Sequence, residues 1–224
     1  METTPFILSV EVAFVSTIIT FFVGIYAAII VVRIKRISFL FDIIFTLPLV
    51  LPPTVVGFFL LLIFGRNSYI GGILYKIGIS FVFDLKGAIL ASFIVAFPLM
   101  YRTSRGAFEQ IDNNIINAAI TLGKSENWIF WKIILPNSWQ SILSGTILSF
   151  TRSLGEFGAT IMIAGNIPNK TQTISLAIYT AVQSGDRELA FKWVIIIVSI
   201  SFVSIMMMNV FIPSASFIKR RYNE

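Results

Sequence analysis

Residues 118–136, AAITLGKSENWIFWKIILP, decide what kind of molecule this chain is. Their Gly-Lys-Ser, at 123–125, looks like the tail of a phosphate-binding loop. Such a loop needs a Gly five residues ahead of the Gly-Lys pair, because its backbone N–H groups wrap the phosphates where a Cβ would crowd them. Position 118 is Ala118. The loop also needs a strand before it, whereas residues 113–122 (NNIINAAITL) carry apolar side chains at helical spacing. On both counts the chain is not read as a nucleotide-hydrolysing enzyme, and the stretch needs another explanation.

Composition supplies the setting. Of 224 residues, 56% are hydrophobic and 12% charged, against roughly a quarter charged in ordinary soluble domains. This is the composition of a membrane protein. The chain has no Cys and no His, so disulfides, thiolate nucleophiles, imidazole bases and the usual zinc or haem ligands are missing. No cofactor and no metal site is expected, and most metalloenzyme and triad chemistry is excluded.

Apolar runs of about 20 residues mark membrane helices. Five are read, at about 8–32, 43–64, 87–101, 138–164 and 193–212. The third is short, with Lys86 and Arg102 placed to snorkel. The N-terminal METTPFILSVE lacks the basic region of a cleavable signal, so the first span is expected to be permanent. Alternate loops differ in basic residues. One set holds Arg33, Lys35, Arg36, Arg102, Arg105, Lys124, Lys132, Lys219, Arg220 and Arg221; the other holds Arg66, Lys76, Lys86, Lys170, Arg187 and Lys192. The positive-inside rule then puts the N-terminus outside and the C-terminus in the cytoplasm of a multi-pass membrane protein. With intramembrane Arg152 these positions account for all 17 basic residues. The net charge of +6 is thereby explained by topology, and no basic patch remains for nucleic acid. No further domain is expected after the last span, so 1–224 reads as one transmembrane domain.

The opening stretch falls in the longest cytoplasmic loop, about 102–137, which is too long for a simple connection. Ile115, Ile116, Ala119 and Leu122 fall on one helical face, and Trp128, Trp131, Ile134 and Leu135 make a second after Gly123. Two short helices joined at a glycine are predicted, closed by Pro136. Here the chain resembles the permease subunits of bacterial ATP-binding cassette importers. Their cytoplasmic signature reads Glu-Ala-Ala, three residues, Gly, nine residues, Ile, any residue, Leu-Pro. Ala118, Ala119, Gly123, Ile133, Leu135 and Pro136 stand at that spacing, with Asn117 in place of the Glu. The resemblance implies that this loop forms coupling helices seated in a cleft of a separate ATPase subunit, with no nucleotide site in the chain itself. Asn117 keeps capping ability and loses the charge, so any ion pair of the family's Glu is missing here. An amphipathic hairpin lying on the lipid surface is the plainer alternative.

Arg152 and Glu156 lie inside the fourth predicted span, where a charge costs roughly 2.5–3.5 kcal/mol on insertion scales. Four apart, they can pair on one helix face. Gly145, Ser149, Arg152, Ser153, Glu156 and Thr160 fall in a wedge of about 100° at α-helical pitch. Such a polar stripe lines the path of a polar substrate or holds two helices in register; the two roles are compatible. In the second span, LPLVLPPTVVG contains Pro48, Pro52, Pro53 and Gly57, which predict a kink or unwinding near mid-membrane. Pro52 and Pro53 are candidates for the translocation path, or for a static kink; Pro98 says the same of the third span more weakly.

Residues 152–179, RSLGEFGATIMIAGNIPNKTQTISLAIY, are similar to the molybdate branch of these permeases, as are LPPTVVG and FGRNSYIGG. The resemblance covers nearly the whole chain. It implies the all-α fold of binding-protein-dependent importer permeases in a bacterial or archaeal inner membrane. The implied partners are a second copy of the chain, two ATPase subunits, an external oxyanion-binding protein and membrane lipid. Tungstate and sulfate or thiosulfate permeases share the pattern. Gly165, Asn166, Thr171 and Thr173 could offer N–H and hydroxyl groups to an oxyanion, or belong to an ordinary turn-rich loop. Residues 174–183 read as a short amphipathic helix at the outer surface, either a dock or an interfacial anchor. A secondary transporter independent of ATP would need an intramembrane acid, for which only Glu156 qualifies. An intramembrane enzyme, without His, Cys or paired carboxylates, is weaker still.

Overall fold

The computed structural model describes residues 3–34 and 37–211, and these form helices and connections with no strand among them. The centre is a helix trio. α1 (Thr4–Arg33) buries a stripe of mostly small residues, including Ala13, Ser16, Thr20, Gly24, Ala27 and Ala28. Small side chains let backbones approach closely where water supplies no driving force. At Gly24 a Cβ would meet Met100 Cγ at 2.8 Å and the Tyr101 amide nitrogen at 3.3 Å, both on α5 (Leu85–Glu109). α8 (Leu135–Leu154) completes the trio through Ile142 and through Gly145, whose absent Cβ leaves room for Met100 and Thr103. Ala27, Ala28, Val31, Phe97, Met100, Tyr101 and Ile142 make one half of the core; Val12, Ala88, Ala91 and Val95 belong to the other.

The proline-rich second span breaks outright. α2 (Ser38–Val50) stops at Leu51 and α3 (Pro53–Phe64) starts afresh, with 112° between them. A proline pushes the residue before it to extended backbone, and Leu51 (ψ 142°) and Pro52 (ψ 135°) both obey. Pro53 then occupies a first-turn position where a missing N–H costs nothing. Pro48 is carried inside α2. α2 buries none of its residues fully and is held by two means. Phe45 packs edge-on to Phe97 and Tyr101, at 5.4 and 5.2 Å between ring centres. Asp42 pairs with Arg105 and accepts a hydrogen bond from the Tyr101 hydroxyl, while Arg105 also reaches Glu109 at 2.8 Å.

The predicted boundaries change in two places. α5 runs eight residues past the predicted end at 101, because the helix continues beyond its apolar stretch while Ser104, Ala107 and Phe108 stay buried. The cytoplasmic loop is shorter by the same amount. The predicted continuous span 138–164 is two helices, α8 and a later α9 (Gly158–Ile163), interrupted at 155–157. Among the described residues three helices are long and apolar enough to cross a membrane, namely α1, α5 and α11 (Arg187–Phe211); the α2–α3 pair, bent by 112°, reaches that length only when its two halves are counted together. α8 has 20 residues but is too polar to count among them. The predicted last span ends one residue beyond the described part of α11, and Lys35, Arg36, Lys219, Arg220 and Arg221 also lie outside the described residues.

On the side of the loop between α3 and α5, α4 (Tyr69–Lys76) is a short helix capped by Ser68. α10 (Ile174–Gln183) has the predicted bounds. It is sewn into the bundle rather than laid on it: Ile174 and Ala177 pack on Trp193 of α11, and the Ile174 N–H donates to Ser9 Oγ at 2.7 Å.

Candidate functional site

Two assemblies of predicted residues stand at opposite ends of α8, separated by roughly 30 Å of helical rise. The first surrounds the break after Leu154. Gly155 ends α8 and Glu156 follows it outside any helix. The carboxylate of Glu156 then does two things. Oε1 accepts the Ala159 N–H at 2.8 Å, satisfying a first-turn donor of α9. Oε2 lies 2.7 Å from the Arg152 guanidinium, without an aligned hydrogen bond to any described residue. The pair therefore forms as its spacing suggested, but across a helix break and not along one helix face. Its partners differ in environment: the Glu156 side chain is 1% exposed and that of Arg152 31%.

The other members of the stripe turn inward. Ser149, Ser153 and Thr160 are buried, and among the described residues their hydroxyls have no hydrogen-bond partner. Gly145 serves close packing on α5. The structure brings the proline break to the same place. A Cβ on Gly57 would stand 2.7 Å from both Cα and O of Ala159, and one on Gly158 would stand 3.0 Å from Pro53 Cβ. α3 and α9 thus lie backbone to backbone, and Pro53 meets the start of α9. Pro52 is exposed beside it. LPPTVVG and LGEFGAT, about a hundred positions apart in the chain, form one unit.

In the connection after α9, Asn166 donates to Thr180 Oγ1 at 2.8 Å and accepts from Gln172 at 3.0 Å, while the buried Thr171 hydroxyl accepts the Ile167 N–H at 3.0 Å. These groups are already engaged with one another. Lys170 approaches Asp84 at 3.7 Å.

The second assembly is the cytoplasmic loop. α6 (Asn113–Thr121) is capped by Asp112, whose carboxylate accepts the Asn114 N–H at 2.8 Å. Gly123, at φ +73°, turns the chain in the left-handed region, and Ser125 caps α7 (Glu126–Ile129) by accepting the Trp128 N–H at 3.3 Å. Lys124 lies over the Trp128 ring at 5.1 Å. Each member of the Gly-Lys-Ser thus has a local structural role. A π-helical turn, Phe130–Ile134, joins α7 to α8; no residue type in it signals that wide turn. Of the signature positions, Ala119 is buried, Ile133 and Leu135 are half-buried, and Asn117, Ala118, Gly123 and Pro136 are exposed. Beside them Ile115, Ile120 and Leu122 are exposed, Leu122 to 76%. A cleft of about 480 Å³ between α6, α7 and the bundle is lined by Arg33, Phe108, Ile116, Ile120, Glu126 and Ile129.

Gly123 offers a clean test of this loop. Nothing lies within 4 Å of a Cβ placed there, so Gly123→Val meets no clash and only the backbone objects, by about 1–2 kcal/mol. The bundle should melt at the wild-type temperature by circular dichroism, while protease cleavage at Lys124 accelerates severalfold.

A hollow of about 680 Å³ between Phe21, Phe22, Tyr26, Phe130, Trp131 and Trp139 is almost wholly apolar and lies at the end of α8 away from Arg152. It offers an anion nothing.

Residues 20–216 match the family described as the binding-protein-dependent transport system inner membrane component. The chain is 46% identical over 205 residues to YvgM of Bacillus subtilis, covering 89% of each chain. It is 47% identical over 163 residues to ModB of Haemophilus influenzae, a molybdenum transport system permease protein, covering 72% of this chain and 71% of that one. A chain of the MetNI methionine ABC transporter in an inward-facing conformation superposes with a TM-score of 0.73. That match covers 92% of this chain and 91% of the other at 14% identity, a likeness of fold.

Proposed function

The chain belongs to the family of binding-protein-dependent transport system inner membrane components, and on that premise we propose that it is the permease subunit that admits molybdate to the cell, driven by ATP hydrolysed on a separate subunit. The observation that carries the substrate is the 47% identity to a molybdenum transport permease over most of the chain. Tungstate, of the same charge and shape, is expected to follow the same route.

The working assembly is two copies of this chain, two ATPase subunits and an external binding protein. The outward-facing Asn117, Ala118 and Gly123, with Ile120 and Leu122 beside them, are the ATPase contact; Ala119, Ile133, Leu135 and Pro136 fix that contact to α8. Small Ala118 permits close approach. The N-terminus faces outward, and the loop lies in the cytoplasm on the side favoured by the basic residues. The chain has no nucleotide site of its own: Ala118 replaces the glycine that a phosphate loop needs, and the Gly-Lys-Ser cap and turn the helices. The path for the anion passes Arg152 and Glu156 with Ser149, Ser153 and Thr160 behind them, and Pro52 and Pro53 at the adjoining break. Charge so costly within a membrane supports that role.

Reconstitution with the ATPase and binding protein tests the reading. Molybdate and tungstate should each stimulate ATP hydrolysis severalfold and be taken up, with sulfate far weaker. Preferential uptake of sulfate overturns the substrate assignment. Uptake without nucleotide or companion subunits overturns the whole reading.

A further inference from the structure

We propose that Arg152 is the direct ligand of the passing oxyanion and that Glu156 is a built-in competitor, fixed in place so that the guanidinium never holds its cargo too tightly. The inference rests on the permease reading and adds a division of labour within the pair.

The geometry separates a fixed partner from a free one. Glu156 is immobilised: its side chain is buried, it sits between two helices, and Oε1 is tied to the Ala159 N–H at 2.8 Å. Arg152 has a long stem and reaches the protein surface, 31% exposed. Its guanidinium carries five N–H donors. The contact with Glu156 Oε2 uses at most part of that fork and lacks an aligned hydrogen bond. The remaining donors have no partner among the described residues, and they form the planar array that matches a tetrahedral oxyanion by two parallel hydrogen bonds.

An unopposed arginine is a poor conductor of anions, because passage requires binding strong enough to enter and weak enough to leave. Placing a carboxylate at 2.7 Å brings the net charge of the pair to zero. An arriving dianion must then draw the guanidinium away from Glu156, and the carboxylate recovers it when the anion moves on. No bond is made or broken; a counter-charge is exchanged. Glu156 cannot follow the anion, since leaving would strip the cap from α9.

The experiment uses the complete reconstituted transporter and two variants. Glu156→Gln keeps an oxygen for the Ala159 N–H while removing the competing charge. It should lower the maximal rate of molybdate uptake and also lower the half-saturating concentration, each by roughly tenfold, the scale of one charge-assisted hydrogen bond. The same variant, without nucleotide or binding protein, should gain saturable molybdate binding in equilibrium dialysis. Arg152→Lys keeps the charge and loses the fork. It should raise the half-saturating concentration roughly tenfold with assembly intact. Wild-type values of both parameters in either variant overturn the proposal. So does a fall in uptake that only tracks loss of assembled complex, with no gain in binding. Wild-type transporter that moves no oxyanion overturns the permease reading instead, so the two failures are told apart.

Discussion

Gly57→Val should yield no stable bundle. The added Cβ would lie 2.7 Å from Cα and from the carbonyl oxygen of Ala159 and 2.8 Å from Met162 Cβ. Two of those three atoms are backbone and cannot step aside as the tip of a side chain can. Overpacking a well-filled core costs about 1–3 kcal/mol where side chains can adjust, and here α3 would have to separate from α9. The expected result is a chain that expresses poorly and melts without cooperativity in detergent. Gly106→Ala is the matched control. Gly106 is helical with nothing within 4 Å of its Cβ position, so alanine should leave stability unchanged or raise it by up to about 1 kcal/mol. Equal loss in both variants would mean that the α3–α9 contact is not what holds this region.

Removing the guanidinium at 152 should be almost as damaging. Arg152→Ala leaves the buried Glu156 carboxylate with one amide donor and no counter-charge. Breaking a buried pair from one side typically costs about 3–5 kcal/mol, largely the penalty of the stranded ion. Adding Glu156→Gln to the same chain removes that ion and should restore most of the loss. A thermal-denaturation cycle over wild type, the two single variants and the double variant reads the coupling directly. A double variant as unstable as the sum of the singles would show that the two side chains act independently.

Much of this was legible in the chain itself, and each miss has a physical reason. The cytoplasmic helices could be read because their signals are local: two apolar faces at helical spacing lie on either side of Gly123, which turns the chain between them. The Pro52–Pro53 break was visible for the same reason, although its 112° exceeds a kink. The interruption after Leu154 is masked by the apolar residues on both sides of it. Counting apolar residues over a 20-residue window averages across a three-residue gap, and Ala159, Ile161 and Ile163 beyond it look like more of the same helix. The signal that could have found it is Gly-Glu-Phe-Gly at 155–158, a helix-ending glycine followed by an acid placed to accept from the next helix. The apolar run of the third span ends at Tyr101, whereas α5 continues to Glu109 because a helix goes on while it has a face to bury. The contact of Asp42 with Arg105 and Tyr101 joins positions 59 or more apart, and no pattern along the chain announces it. The polar stripe was projected along one helix, whereas the chain breaks at 155–157 and shares its members between α8, the break and α9. Ser149, Ser153 and Thr160 turn to the interior, leaving Arg152 as the partly exposed charged member.

The backbone-to-backbone seating of α3 on α9 constrains how such proteins can exchange parts. A hybrid of two related chains joined anywhere between Gly65 and Leu154 inherits α3 from one parent and α9 from the other. Its Gly57 then confronts a residue chosen for a different neighbour. Junctions placed before Leu51 or after Ala164 keep both surfaces from the same parent, and functional hybrids should be recovered chiefly at those seams.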